Sequence, residues 1–388
     1  MDWASICQNS LYLFKVASGQ KTCAFGINER IVEIEKTMEI VKEDFLCRKH
    51  IQFFKRCLEV LPSPYSSLDT SRITVAFFAL SGLDILNSLD SVENDKNNII
   101  EWIYHNQKLP SESDNSSIFR CGFRGSSTTA CDRMLSQDVC EYDCSHIAMT
   151  YTALASLLIL GDDLSRVNRP AVIAALKALQ LPDGSFQPTM DGSENDMRFI
   201  YCACCISYIL NDWSGVDIPR VVQYIKESRS YDFGFGQGPS LEAHGGSTFC
   251  ALASLVLMDQ LDSSFEAKEL ERIKRWCLVR QKSGFQGRPN KPVDTCYSFW
   301  VGASLELLGA FSCLDFPANR EYLISAQATM TGGFSKWPGN HPDALHTYFG
   351  LCGMSLMQEP GLNSIHAALN ITQRAANHLN KLHKLMNR

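Results

Sequence analysis

Apolar residues along this 388-residue chain fall into two alternating kinds of segment. The first kind is amphipathic with helical spacing. From Phe265 to Gln281, Leu270, Ile273 and Cys277 share one face while Lys268, Glu271, Arg272 and Arg275 lie elsewhere, which predicts a half-exposed helix. The second kind, such as Gly245 to Met258 or Thr295 to Leu308, is apolar nearly all round and predicts a fully buried helix. Period-two alternation is missing, so no strands are expected.

The alternation is punctuated. A Gly/Ser-Phe pair recurs at Phe123, Phe186, Phe235, Phe285 and Phe334, at intervals of 63, 49, 50 and 49 residues, which marks an internal repeat. Nine or ten residues after the last four phenylalanines stands a polar anchor, Asp196, His244, Asp294 or Asp343, and each anchor opens a buried segment. After Phe123 the anchor His146 comes later, so the polar stretch from Ser126 to Cys140 reads as an inserted loop. Counting Thr70 to Leu89 as an early buried helix gives about six helix pairs, each with one outer and one inner member. Such pairs either stack into an open solenoid or close into a ring. The expected fold is all-α, a closed α/α barrel (toroid) whose inner helices line a central cavity, with the anchors gathered at one end of it.

Composition narrows the possible partners. Hydrophobic residues make up 45% and charged residues 20% of the chain, which excludes disorder. Lys and Arg number 36 against 42 Asp and Glu, so there is no basic field to neutralise a phosphate backbone, and nucleic acid is not an expected partner. The apolar stretches fall short of the roughly 18 residues a membrane span needs, and the N-terminus lacks the basic and apolar blocks of a secretory signal. The 16 cysteines scatter into apolar helical segments, where free thiols act as small hydrophobes. A reducing, cytoplasmic location is expected. Cys202 and Cys205 form a CxxC without a second pair or a nearby His, so they are read as core residues.

The candidate chemistry lies at the anchor end. Asp294 and Cys296 open one inner helix, and His346 follows Asp343 at the start of the next. Carboxylate, thiol and imidazole are three zinc ligands, and a three-ligand site with an open position is a catalytic arrangement. The spacing alone suits a capping aspartate beside a buried Cys and His better. His244, Arg288, Lys291 and Lys336 map to the same end, together with Tyr297, and a positive pocket in an acidic protein suits a compact polyanion such as a diphosphate. Taken singly, the same cations would serve as solvated surface charges. Phe78, Tyr201, Phe249, Cys250, Phe299, Trp300, Tyr348 and Phe349 lie on inner helices. They are either plain core or the apolar wall of a funnel that would accept a lipid diphosphate.

The segments AFFALSGLD (76–84), CGFRGSS (121–127), HIAMTYT (146–152), GSENDMRF (192–199), HGGSTFC (244–250), GRPNKPVDTCYSFWVGA (287–303) and HPDALH (341–346) resemble the β subunits of protein prenyltransferases, from about Asp44 to Thr372. The resemblance implies an α/α barrel in which Asp294, Cys296 and His346 bind one zinc ion, while His244, Arg288, Lys291 and Tyr297 hold the isoprenoid diphosphate. It places Arg198, His146, Ala148, Phe199, Leu345 and Thr74 on the CaaX peptide end, the last four shaping the pocket for its terminal residue. It also implies a helical-repeat α subunit as heterodimer partner and CaaX-ending proteins, such as small GTPases, as acceptors.

Within that family, Lys336 stands where the farnesyl enzymes have an aspartate linked to Mg²⁺, so Mg²⁺ is not expected to be required. Thr74 stands where they have a bulky Trp, leaving room for the fourth isoprene unit of a C20 geranylgeranyl donor. The expected activity is therefore transfer from geranylgeranyl diphosphate to a CaaX cysteine, with Lys336 among the catalytic residues. Farnesyl or Rab-specific β subunits and a non-catalytic α/α-barrel binding protein are the competing readings. Residues 1–43 carry no repeat signature, with a short helix possible over Glu29 to Lys42. Both this extension and a polar helix over Gln373 to Arg388 are expected to be peripheral.

Overall fold

The computed structural model describes residues 45–61, 63–129, 143–192 and 194–386. The chain divides into two units, Met1–Cys47 and Arg48–Arg388. Apart from Phe45 to Cys47, the first unit lies outside the described residues, as does the expected helix over Glu29 to Lys42. Most of the inserted loop, 130–142, does so too.

In the second unit the six inner helices are α2 (Arg72–Ile85), α4 (Ile147–Ile159), α6 (Met197–Leu210), α8 (Gly245–Leu257), α10 (Tyr297–Leu307) and α12 (Ala344–Leu356). The outer helices are α1 (Cys47–Glu59), α3 (Lys96–His105), α5 (Arg169–Leu179), α7 (Ile218–Glu227), α9 (Ala267–Leu278) and α11 (Phe316–Ser325). Each inner helix packs on the next, and α12 packs back on α2. The ring is closed, as the repeat count requires. Because an outer helix returns the chain before every inner one, the inner helices run parallel and their N-termini share one mouth.

The repeat has a physical basis. The anchors are helix caps: the side chains of His146, Asp196, His244 and Asp343 each accept a backbone N–H from the first turn of the helix they open, and Asp294 accepts one from Cys296 at 3.1 Å. The recurring phenylalanines are fully buried. Each pairs with the end of the preceding outer helix, as in Arg229 with Phe235 and Gln281 with Phe285. Phe123, Phe235 and Phe334 donate their N–H to threonine hydroxyls of the following inner helix at 2.9–3.0 Å. These pairings, the single bridges Ser111–Asp114, Gln286–Val293 and Ser335–Pro342, and two-residue strands β1 (Gln107–Lys108), β2 (Gly122–Phe123), β3 (Ile365–His366) and β4 (Ile371–Thr372) are the strand structure of the described residues. They correct the expectation of none, being too short to leave a period in the sequence. At Gly284 a Cβ would stand 2.4 Å from the Tyr322 ring of the next outer helix, so this turn cannot carry a side chain without displacing its neighbour.

Helix α1 completes the outer layer. Its His50 stacks on Phe334 at 4.7 Å and accepts the Gly333 N–H at 2.9 Å, joining the first outer helix to the last repeat. At the far end the buried segment 367–371 enters the bore. Tyr151, Tyr201 and Tyr348 donate their hydroxyls to the carbonyls of Leu369, Ala368 and Asn370 at 2.9, 3.0 and 2.6 Å. Helix α13 (Gln373–Met386) follows, and it is not the peripheral element expected: Ala375, Ala376, Leu379 and Leu382 are buried, and Arg374 grips the buried Asp84 at 2.8 and 2.9 Å. Among the described residues no helix is long and apolar enough to cross a membrane.

Candidate active site at the ring mouth

The caps that start the inner helices also aim their side chains. Ligand atoms of Asp294, Cys296 and His346 lie within 4.8 Å of one another, the only such metal-competent group among the described residues. Cys202 and Cys205 are simply buried in α6. His346 Nδ1 bonds Asp343 Oδ2 at 2.6 Å, while Nε2 lies 3.4 Å from Asp294 Oδ1. The second nitrogen of the ring is thus turned to the shared point, as metal-binding imidazoles are when a carboxylate fixes the other.

The electrostatics fit a cation. Burial disfavours the charged imidazole of His346, yet hydrogen bonds to Asp294 and Asp343 outweigh it and hold the group at about 9. Burial, reinforced by the Asp294 carboxylate, pushes the Cys296 thiol well up. Against its own burial, Asp294 is held below the usual carboxylate range by His346 and Cys296. A proton on His346 and one on Cys296 therefore occupy the place where a divalent ion would satisfy all three groups. Sulfur, nitrogen and oxygen donors in this number fit zinc with a position left for an outside ligand.

Beside this group His244 caps α8 through Nδ1 and meets the Tyr297 hydroxyl through Nε2 at 2.7 Å. Its accepting Nδ1 places the proton of the neutral ring on Nε2. Burial, with the Arg288 cation next, holds its pKa down. Gly287 admits the Tyr297 ring, since a Cβ there would lie 2.1 Å from it. Arg288 is held by Glu242 at 2.5 Å, and exposed Lys291 follows in the same turn, its N–H on the Arg288 carbonyl. Lys336 lies 3.6 Å from Asp294, with 44% of its side chain exposed, and over the Trp337 ring at 4.6 Å.

The wall residues form a continuous chain of ring contacts: Phe78 on Tyr348 and Phe349, Phe349 on Trp300 at 4.1 Å, Trp300 on Phe249, and Phe249 on Tyr201. Cys250 lies buried next to Phe249 on α8. Tyr201 contributes its ring alone, since its hydroxyl is taken by the segment plugging the bore. The remaining predicted residues also sit at helix starts. Thr74 on α2 touches Met149 and Thr152 of α4 at 3.1 and 3.4 Å. His146 caps α4 onto Ala148 and faces Phe199 at 6.0 Å. Arg198 pairs with Asp196 and Glu194, and Leu345 on α12 is exposed.

Sequence reasoning did not find the supports. Asp343 was legible as a cap but not as the partner of His346, and Glu242 not as that of Arg288. Asp143, three residues before His146, is clamped by Lys108 at 2.7 Å and Arg124 at 2.5 Å. The unmatched cations Lys108 and Arg124 beside the insertion were the signal available.

Residues 45–371 match the family described as Prenyltransferase alpha-alpha toroid domain, and the chain belongs to that family. It is 41% identical over 338 residues to the geranylgeranyl transferase type-1 subunit beta of Dictyostelium discoideum, covering 84% of this chain and 95% of that protein. To the subunit of the same name from Arabidopsis thaliana it is 40% identical, with 84% and 89% covered. The structure of Candida albicans protein geranylgeranyltransferase-I complexed with GGPP superposes with a TM-score of 0.78 at 27% identity, covering 87% of this chain and 99% of that one. The toroid and the prenyltransferase resemblance read from the sequence are both borne out, and the chain is a subunit of a prenyl-transferring enzyme.

Proposed function

We propose that the chain is the catalytic β subunit of a zinc-dependent type I protein geranylgeranyltransferase. It works in the cytoplasm with a prenyltransferase α subunit and takes geranylgeranyl diphosphate and proteins ending in CaaX. The observation that carries this reading is the convergence of Asp294, Cys296 and His346 beside His244, Tyr297 and Lys336 at the mouth of an aromatic-walled ring. When bound, zinc supplies a Lewis acid that favours the thiolate form of an acceptor thiol, whose free pKa is about 8.5.

The chain's own residues do the rest. The Phe78–Phe349–Trp300–Phe249 wall binds the isoprenoid and keeps water from its reactive end. The Tyr297 hydroxyl, turned outward by the His244 Nε2–H it accepts, binds the diphosphate together with Arg288 and Lys291, the cations through charge-assisted hydrogen bonds. The acceptor sulfur forms its bond to C1 as the C1–O bond breaks. The electron pair leaves with the diphosphate oxygen, and the thiol proton passes to solvent. Lys336 holds a fixed cation at the departing diphosphate, where charge develops, so Mg²⁺ is not required. Arg198 and His146 orient the peptide end, and Thr74, Ala148, Phe199 and Leu345 bound its terminal residue. At Thr74 the small side chain also leaves room for a C20 donor.

The test is transfer by the heterodimer to a peptide ending Cys-a-a-Leu. The expected result is a higher kcat/KM with the C20 than the C15 donor, reversed or equalised in Thr74→Trp, since overfilling a closed pocket costs roughly 1–3 kcal/mol. A wild-type preference for C15 would overturn the assignment.

A further inference from the structure

Tyr322 belongs to outer helix α11, one layer behind the mouth, yet its hydroxyl oxygen lies 3.1 Å from the Val293 carbonyl and 3.2 Å from the Lys336 carbonyl. Val293 precedes Asp294 in the chain, so one buried proton is shared between the loop that carries a metal ligand and the loop that carries the leaving-group cation. A second tie runs in parallel: Thr295, fully buried between Asp294 and Cys296, donates its hydroxyl to Ser335 at 2.7 Å and its N–H to Lys336 at 3.2 Å.

The repeat shows that packing does not need this hydroxyl. The bridges that pair each outer helix with its phenylalanine put Trp102, Ala175, Tyr224, Trp276 and Tyr322 in one register. Two of these carry a hydroxyl, and that of Tyr224 reaches a single carbonyl, Gln237, at 3.5 Å, the limit of a hydrogen bond. The full contact is made only in the repeat whose two loops bear Asp294 and Lys336.

We propose that Tyr322 is a positioning residue for prenyl transfer: by joining the Val293 and Lys336 carbonyls it holds the Lys336 ammonium in register with the metal-ligand loop. The proposal rests on the reading of Lys336 as the cation at the departing diphosphate. Tyr322→Phe keeps the ring that covers Gly284 and removes only the tie.

The experiment is a double-mutant cycle on the heterodimer, with Tyr322→Phe, Lys336→Ala and the pair, read as single-turnover rate and KM for the C20 donor. Misplacement of a catalytic group predicts a drop of about tenfold in rate with little change in KM for Tyr322→Phe. Almost no further loss is expected when the same change is made in Lys336→Ala. Thr295→Val, which removes the parallel hydroxyl, should repeat the pattern and covers the case in which Tyr322→Phe folds poorly. Losses that multiply in the Tyr322→Phe pair mean a purely structural role and overturn the proposal, as does a wild-type rate in a well-folded Tyr322→Phe; where that variant folds poorly, the same two outcomes for Thr295→Val overturn it. If Lys336→Ala itself keeps the wild-type rate, the catalytic reading of Lys336 fails, and the positioning role falls with it.

Discussion

The two ends of the ring contain the same kinds of group and treat them differently. At the plugged end Asp84 is almost wholly buried and is answered within the chain by Thr372 at 2.5 Å and by Arg374, while three tyrosine hydroxyls close on the carbonyls of residues 368–370. At the mouth Asp294 is also buried, but what faces it is a thiol, an imidazole and a half-exposed ammonium. None of these is the strong bidentate partner that Arg374 is for Asp84. A buried polar group matched by its own chain stabilises the fold; several that converge on one point and answer one another only through protons on His346 and Cys296 are kept for an outside ligand.

The largest effect should come from removing a convergent group. Cys296→Ala is expected to lower transfer on the order of a thousandfold while leaving C20 diphosphate binding within a few fold, since His244, Arg288, Lys291 and Tyr297 are untouched; titration of a fluorescent donor analogue checks the second half. The matched end should give the opposite pattern. Asp84→Asn loses charge-assisted hydrogen bonds worth about 2 kcal/mol, seen as a lower denaturation midpoint, with the rate per folded molecule unchanged. Lost activity there, at unchanged stability, would break the contrast between the ends.

Lys336→Asp sharpens the contrast within the mouth. It exchanges a fixed cation for a hard-oxygen ligand, so the variant should be roughly tenfold slower without Mg²⁺ and partly rescued by millimolar Mg²⁺. The wild-type rate should barely respond. The smallest effect is acid sensitivity. Burial holds both His50, stacked behind the mouth on Phe334, and His146 down at about 4, from an ordinary 6.5. An unfolded chain binds these protons first, so their stabilisation is complete above about pH 6.5 and is lost as pH falls towards 4. For the fully buried His50 the loss is about 1 kcal/mol at pH 5.5. Denaturant midpoints at pH 7 and 5.5 should differ less in His50→Gln than in wild type.

The contrast also explains what the sequence made legible. Recurrent glycines, phenylalanines and caps write a repeat with a fixed period, so the six inner helices and the mouth could be read from it. Asp294, Cys296 and His346 could be listed as candidates because the repeat stacks their positions, but spacing alone could not separate a metal site from a cap with a buried Cys and His. What stayed illegible depends on contacts outside the period. The plug at 367–371 joins Tyr151 to Leu369 across more than two hundred residues, and α13 read as polar because only four of its side chains are buried. The Asp143 clamp sits at the edge of an insertion that no other repeat shares.

The central claim, that the mouth is a metal centre and the plugged end is not, is tested most directly by elemental analysis of purified heterodimers. The account predicts one zinc per β chain in wild type and in Asp84→Asn, and none retained by Cys296→Ala or His346→Ala after dialysis. Full zinc occupancy in either of the last two would contradict it.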